Sequence, residues 1–153
     1  MGAERVREYL LTHGVAYDIH HHDRAVSAQA VAEAEHITGR HVAKPVILLV
    51  DGHLVMAVIP ANLQLDLEKA RRALGSTTIR LALESEFADA FVDCETGAEP
   101  PLGGLYGMPT VIDLRLNNAT ITFRGGTHDE SITMEFDDYE RIVGGDPVDI
   151  AQE

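Results

Sequence analysis

Two apolar runs flanking Asp51-Gly52 constrain this chain most. Val46-Ile47-Leu48-Leu49-Val50 precedes the dipeptide, and Leu54-Val55-Met56-Ala57-Val58-Ile59 follows it. A two-residue hairpin turn needs positive φ at its central positions, which Asp and Gly tolerate, so the pattern predicts a β-hairpin. Neither run alternates with polar residues. Both faces of the hairpin must therefore be covered, which places it at the centre of a sheet. Pro60 closes the second strand.

The remaining segments surround that hairpin. Glu4 to His13 carries Val6, Tyr9 and Leu10 at helical spacing and stops at Gly14. Val15 to His20 alternates as a strand does. Ser27 is placed to cap a helix running to about His36. Asp66 to Leu74 reads as a short helix, Ser76 to Leu81 as a strand, and Glu84 to Phe91 as another short helix. Thr110 to Asp113, Ala119 to Arg124 and Ser131 to Glu135 read as strands, and Phe136 to Val143 as a closing helix. With no repeat, linker or low-complexity tract, residues 1–153 are expected to form one domain. The fold class is α/β: a single-domain mixed, largely antiparallel sheet with flanking helices.

Charge and cysteine content exclude several roles. Lys and Arg number 12 against 25 Asp and Glu, a formal charge of -13. Attraction of the whole molecule to a polyanion is ruled out, so a nucleic-acid substrate needs a local basic patch or a helper protein. A single cysteine, Cys94, excludes an internal disulfide and a Cys-rich zinc site, and it suits a reducing, cytoplasmic compartment. No apolar run approaches the roughly 20 residues of a membrane helix, and no membrane or DNA partner is expected.

Few residues carry candidate chemistry. Lys44, one of two lysines, stands at the mouth of the central strand, where it can aim a fixed charge into a cleft. The position equally suits an ordinary exposed lysine. Gly97-Ala98-Glu99-Pro100-Pro101-Leu102-Gly103 combines free and fixed backbone angles. Such a turn can offer backbone N–H groups to a carbonyl or oxyanion, or it can be a rigid connector. The run His20-His21-His22 is no metal site, because successive strand residues point to opposite faces. His128, after Gly125-Gly126-Thr127, can reach a site from its turn. No metal or other cofactor is expected, and no metalloprotease, phosphate-loop or nucleophile-elbow motif is present.

The order of these features resembles the YbaK family, aminoacyl-tRNA deacylases related to the editing insertion of bacterial prolyl-tRNA synthetase. The resemblance covers about residues 4 to 145. It rests on His22 followed by Ser27-Ala28, Lys44 leading into the hairpin, and Ala57-Val58-Ile59-Pro60-Ala61 before Leu65-Asp66-Leu67. It continues through the Gly97-Ala98-Glu99-Pro100 loop, Val111-Ile112-Asp113, and Phe123-Arg124-Gly125-Gly126-Thr127-His128. Pro45 after Lys44 and Ser27 in place of Thr depart from the family pattern.

The resemblance implies hydrolysis of the ester joining a wrong amino acid to a tRNA 3′ end, with alanyl or cysteinyl tRNA for proline as the expected substrate. It implies catalytic roles for Lys44 and for Gly97, Ala98, Glu99 and Pro100. Substrate-binding roles fall to His22, Ser27, Pro101, Leu102, Gly103 and His128. The expected partners are the acceptor end of a mischarged tRNA and an aminoacyl-tRNA synthetase. An activated ester needs a positioned water and a stabilised oxyanion rather than a covalent nucleophile. Two other readings stand beside this one: a non-catalytic module of the same fold that binds tRNA, an amino acid or a protein, and a hydrolase of a small aminoacyl ester.

Overall fold

The computed structural model describes residues 2–21 and 39–153. The sequence-predicted hairpin is its centre. β2 (Ala43–Val50) pairs antiparallel with β3 (His53–Pro60) from Ala43 opposite Pro60 to Val50 opposite His53. Asp51 at φ 47° and Gly52 at φ 86° make the turn. The Asp51 carboxylate accepts the backbone N–H groups of Thr77 and Thr78, which holds the turn against the next strand.

Four strands form the main sheet, in the order β5-β2-β3-β6, with β5 at Ile79–Leu81 and β6 at Thr110–Ile112. β5 joins antiparallel and β6 parallel. β5 pairs only with Leu48 to Val50, so among the described residues no strand pairs with the edge of β2 beside Pro45. A proline lacking its N–H is tolerated at such an edge.

A second sheet has the order β1-β8-β7 and is antiparallel throughout, with β1 Tyr17–His21, β7 Thr120–Arg124 and β8 Glu130–Glu135. Val42 bridges to Thr122 and links the two sheets. A two-stranded sheet joins β4 (Gln64–Leu65) to β9 (Ala151–Gln152). Among the described residues the helices are α1 (Gly2–Thr12), α2 (Leu67–Leu74), α3 (Glu84–Phe87) and α4 (Phe136–Val143). Asp66 caps α2 by accepting from Lys69 N at 3.0 Å.

Strand alternation splits the apolar residues of the hairpin between two cores. Ala43, Ile47, Met56 and Val58 face a large core with Val6, Leu10, Leu102, Phe123, Ile132, Phe136 and Tyr139. Leu48, Val50, Val55, Ala57 and Ile59 face a smaller one with Ala70, Ile150 and Ala151. This is why neither strand shows a polar face in the sequence. The fold is the expected mixed α/β domain dominated by antiparallel pairing, its strands distributed over three sheets.

Candidate functional site

Lys44 is half-buried near the start of β2. It lines a cleft of about 280 Å³ with Val46, Ile59, Gln64, Leu65, Leu67 and Leu81. Ile59 is its cross-strand neighbour, so the ammonium stands on the side of the smaller core. Among the described residues Lys44 makes no ion pair or side-chain hydrogen bond, and burial pulls its pKa below the usual lysine value. A partly desolvated cation without a partner, on a wall whose other polar side chain is Gln64, is ready to receive an anionic or strongly polar group.

The Gly97 loop is built differently. Gly97 has φ 85°, a left-handed conformation suited to glycine. Its N–H donates to Glu99 Oε2 at 3.1 Å, and Ala98 N–H donates to Glu95 O at 2.9 Å. Pro100 has no N–H. The loop therefore does not present a continuous row of unbonded amides from Gly97 to Pro100. Two of those amides are committed inside the loop, and the Gly97 donor opens only if the Glu99 carboxylate leaves it. Pro101, Leu102 and Gly103 are buried behind the loop, with Leu102 in the large core. These three hold the loop in place by packing.

His128 is buried in its turn, at 7% exposure. Its Nε2–H donates to the Thr96 carbonyl at 2.8 Å, and its backbone N–H donates to Glu95 Oε1 at 3.0 Å. Glu95 N–H in turn donates to Gly126 O at 2.8 Å. The structure thus joins His128 to the Gly97 loop, two segments widely separated in sequence. No hydrogen bond or ion pair links Lys44 to that loop, whose flanking residues Cys94 and Leu102 pack in the other core. His22 and Ser27 lie outside the described residues.

Among the described residues, five arginines that could border a cleft are already paired with carboxylates. Arg5 meets Asp93, Arg7 meets Glu130, Arg71 and Arg72 share Glu68, and Arg80 pairs with Glu86. Lys69 reaches Asp149 at 3.1 Å and the Ala151 carbonyl at 3.0 Å, so it fastens the β9 segment. Cys94 lies 3.3 Å from the Tyr106 hydroxyl, and burial raises its pKa to about 11. It is a poor nucleophile in that state.

One residue went unread in the sequence beyond its place in a closing strand. Arg124, at the end of β7, is 8% exposed, and its Nη1 has no hydrogen-bond partner. The available signal was parity. Ile121 and Phe123 point into the large core, so Thr122 and Arg124 share the other face of the strand.

The structure thus combines a hairpin-centred sheet, a half-buried lysine at its mouth and a glycine–proline loop locked to a histidine turn. The fold is that of editing domains. A family model for the aminoacyl-tRNA editing domain matches residues 22–142, and the chain belongs to that family. Among solved structures, the chain is similar to a candidate trans-editing enzyme for prolyl tRNA synthetase, with a TM-score of 0.87 and 21% identity over 99% of this chain and 98% of that one. It is also similar to a hypothetical protein, with a TM-score of 0.86 and 18% identity over 97% and 99% of the two chains. A protein from Marinobacter aquaeolei VT8, named as a candidate signal transduction protein, matches with a TM-score of 0.74 and 22% identity. There the similarity covers 98% of this chain and 31% of the other. At these identities the structures speak for the fold. No helix among the described residues is long and apolar enough to cross a membrane.

Proposed function

We propose that this protein is a freestanding, cytoplasmic trans-editing deacylase acting on mischarged tRNA, with alanyl or cysteinyl tRNA for proline as the substrate. The family match over residues 22–142 carries the reading. Water adds to the ester carbonyl carbon, the bond to the ribose oxygen breaks, and the products are a free amino acid and a tRNA with its terminal hydroxyl restored. Lys44 supplies a fixed positive charge for the phosphate or carbonyl end of the substrate. The Gly97–Pro100 loop, held by His128 and by packing, aligns the aminoacyl group. An apolar pocket discriminates by size, and a single methylene is worth only about 1–3 kcal/mol there.

A formal charge of -13 and the local pairing of the exposed arginines favour contact limited to the acceptor end, with delivery by a synthetase. The non-catalytic alternative draws support from the separation of Lys44 from the Gly97 loop. One assay decides between them: release of alanine, and separately of cysteine, from mischarged proline tRNA by wild type and Lys44→Ala. Hydrolysis that falls at least about 100-fold in the variant, as loss of a positioned catalytic group does, supports the deacylase. A folded wild-type protein that releases neither amino acid supports the binding module.

A further inference from the structure

Among the described residues, five buried side-chain polar atoms lack a hydrogen-bond partner: Arg7 Nε, Asp93 Oδ2, Arg124 Nη1, Thr127 Oγ1 and Ser131 Oγ. Arg7 and Asp93 belong to ion pairs, with Glu130 and Arg5 respectively. The other three residues sit at one end of one hairpin. Arg124 and Ser131 are directly opposite on β7 and β8, so their side chains leave the same face of the sheet. Thr127 lies in the turn between those strands. Arg124 is 8% exposed and Ser131 is fully buried.

The next pair along the same face shows what satisfaction looks like. Thr122 and Thr133 are also opposite, and their hydroxyls bond each other at 2.7 Å. Arg124 and Ser131 make no such bond, although both can donate. Buried polar groups are nearly always paired, and a buried guanidinium without a partner is the costliest exception. The acidic group whose charge reaches Arg124 is Glu99 of the Gly97 loop. That carboxylate already accepts from Gly97 N–H.

We propose that Arg124, assisted by the Ser131 and Thr127 hydroxyls, is a receptor for an oxyanion of the substrate, at the junction of the β7–β8 hairpin and the Gly97 loop. The identity of the ligand rests on the deacylase reading; the unpartnered Arg124 guanidinium does not. A guanidinium presents a planar fork that fits carboxylate and phosphate alike. An aminoacylated 3′ end offers both sources: the phosphate of the terminal nucleotide, and the side-chain carboxylate of an acidic amino acid. Arg124 therefore selects either a phosphorylated terminus or an acidic aminoacyl group.

Four stable probes separate these sources. They are 3′-amino-3′-deoxyadenosine bearing alanine or aspartate through an amide, each with and without a 5′-phosphate. Calorimetry with the full chain reads their affinities. The added anion that reaches Arg124 tightens binding about tenfold, the scale of a charge-assisted hydrogen bond. Gain from the phosphate identifies the nucleotide, and gain from aspartate identifies an acidic aminoacyl group. The gain disappears in Arg124→Met and shrinks in the milder Ser131→Ala. Melting temperature holds or rises in Arg124→Met, because an unpaired buried charge is replaced by an apolar chain of similar length. Equal affinity for all four probes, a gain retained in Arg124→Met, or a lowered melting temperature with affinities unchanged overturns the proposal. Turnover is not read, so a protein that hydrolyses alanyl tRNA yet shows no anion gain keeps the deacylase reading and loses this one.

Discussion

The Tyr139 hydroxyl donates to the Pro101 carbonyl at 2.6 Å, tying α4 to the back of the Gly97 loop. Tyr139 is fully buried, and its ring packs near Phe123 and Phe136. The loop is therefore held from two sides: by the His128 turn at Thr96 and by Tyr139 at Pro101.

Tyr139→Phe keeps the ring and removes the hydroxyl, leaving the Pro101 carbonyl buried without its donor. Stability should fall by about 1–3 kcal/mol, read from urea unfolding. Deacylation, where measured, should lose kcat/KM beyond what the unfolded fraction accounts for. A variant with unchanged unfolding would show that the bond contributes nothing net.

Lys44 should titrate below an ordinary lysine, because burial disfavours its charged form. Activity that needs this ammonium is then lost as pH rises through its lowered folded-state pKa. The sign for stability is opposite. Between that value and the unfolded lysine value the unfolded chain binds more protons, so this group makes stability rise with pH across that window. Lys44→Met should leave only residual activity, without that alkaline limb, and raise stability at neutral pH. Nitrogen-detected NMR of Lys44 gives the pKa directly.

Two exposed carboxylates set part of the acid response. Hydrogen bonds from Arg71 hold the Glu68 pKa down to about 2, and those from Arg80 do the same for Glu86. Their contribution is present above the ordinary glutamate value of 4.5 and is lost as pH falls toward about 2. Both pairs face water, so salt should screen them. Urea midpoints at pH 5 and pH 2.5, at low and high salt, test this. The pH-dependent loss should be smaller at high salt, and smaller again in Glu86→Gln.

Gly103 lies where a methyl group would collide with the Thr110 hydroxyl and come within 2.8 Å of the Met108 carbonyl. Gly103→Ala must push the loop away from the start of β6. A loss of about 1–3 kcal/mol is expected, as for overpacked cores. Gly107→Ala is the comparison: nothing crowds that site, but its φ of 72° strains any side chain. The two costs therefore separate collision from backbone strain.

Elements with strong local chemistry were readable in the sequence. Asp51-Gly52 announced its turn, and the Asp66–Leu74 helix was legible to within its N-cap residue. The split of the hairpin between two cores followed from the absence of a polar face. Pairings between distant segments were not readable. Gln64–Leu65 against Ala151–Gln152 is too short to carry a periodic signal. The burial of His128 depends on the carbonyl of Thr96, which any residue could supply. The burial of Arg124 is imposed by its neighbours, so its strand position alone did not mark it.

The parallel pairing of β3 with β6 has a kinetic consequence. β2 and β3 can zip from their own turn, whereas β6 must wait until the chain between Pro60 and Thr110 has folded back across the sheet. Closing that long excursion is entropically slow. The Gly97 loop lies within it, and its contacts are expected to form after that closure. Weakening the loop should then speed unfolding while leaving the refolding rate nearly unchanged. The region proposed to handle substrate should thus be the last to be secured and the first to let go.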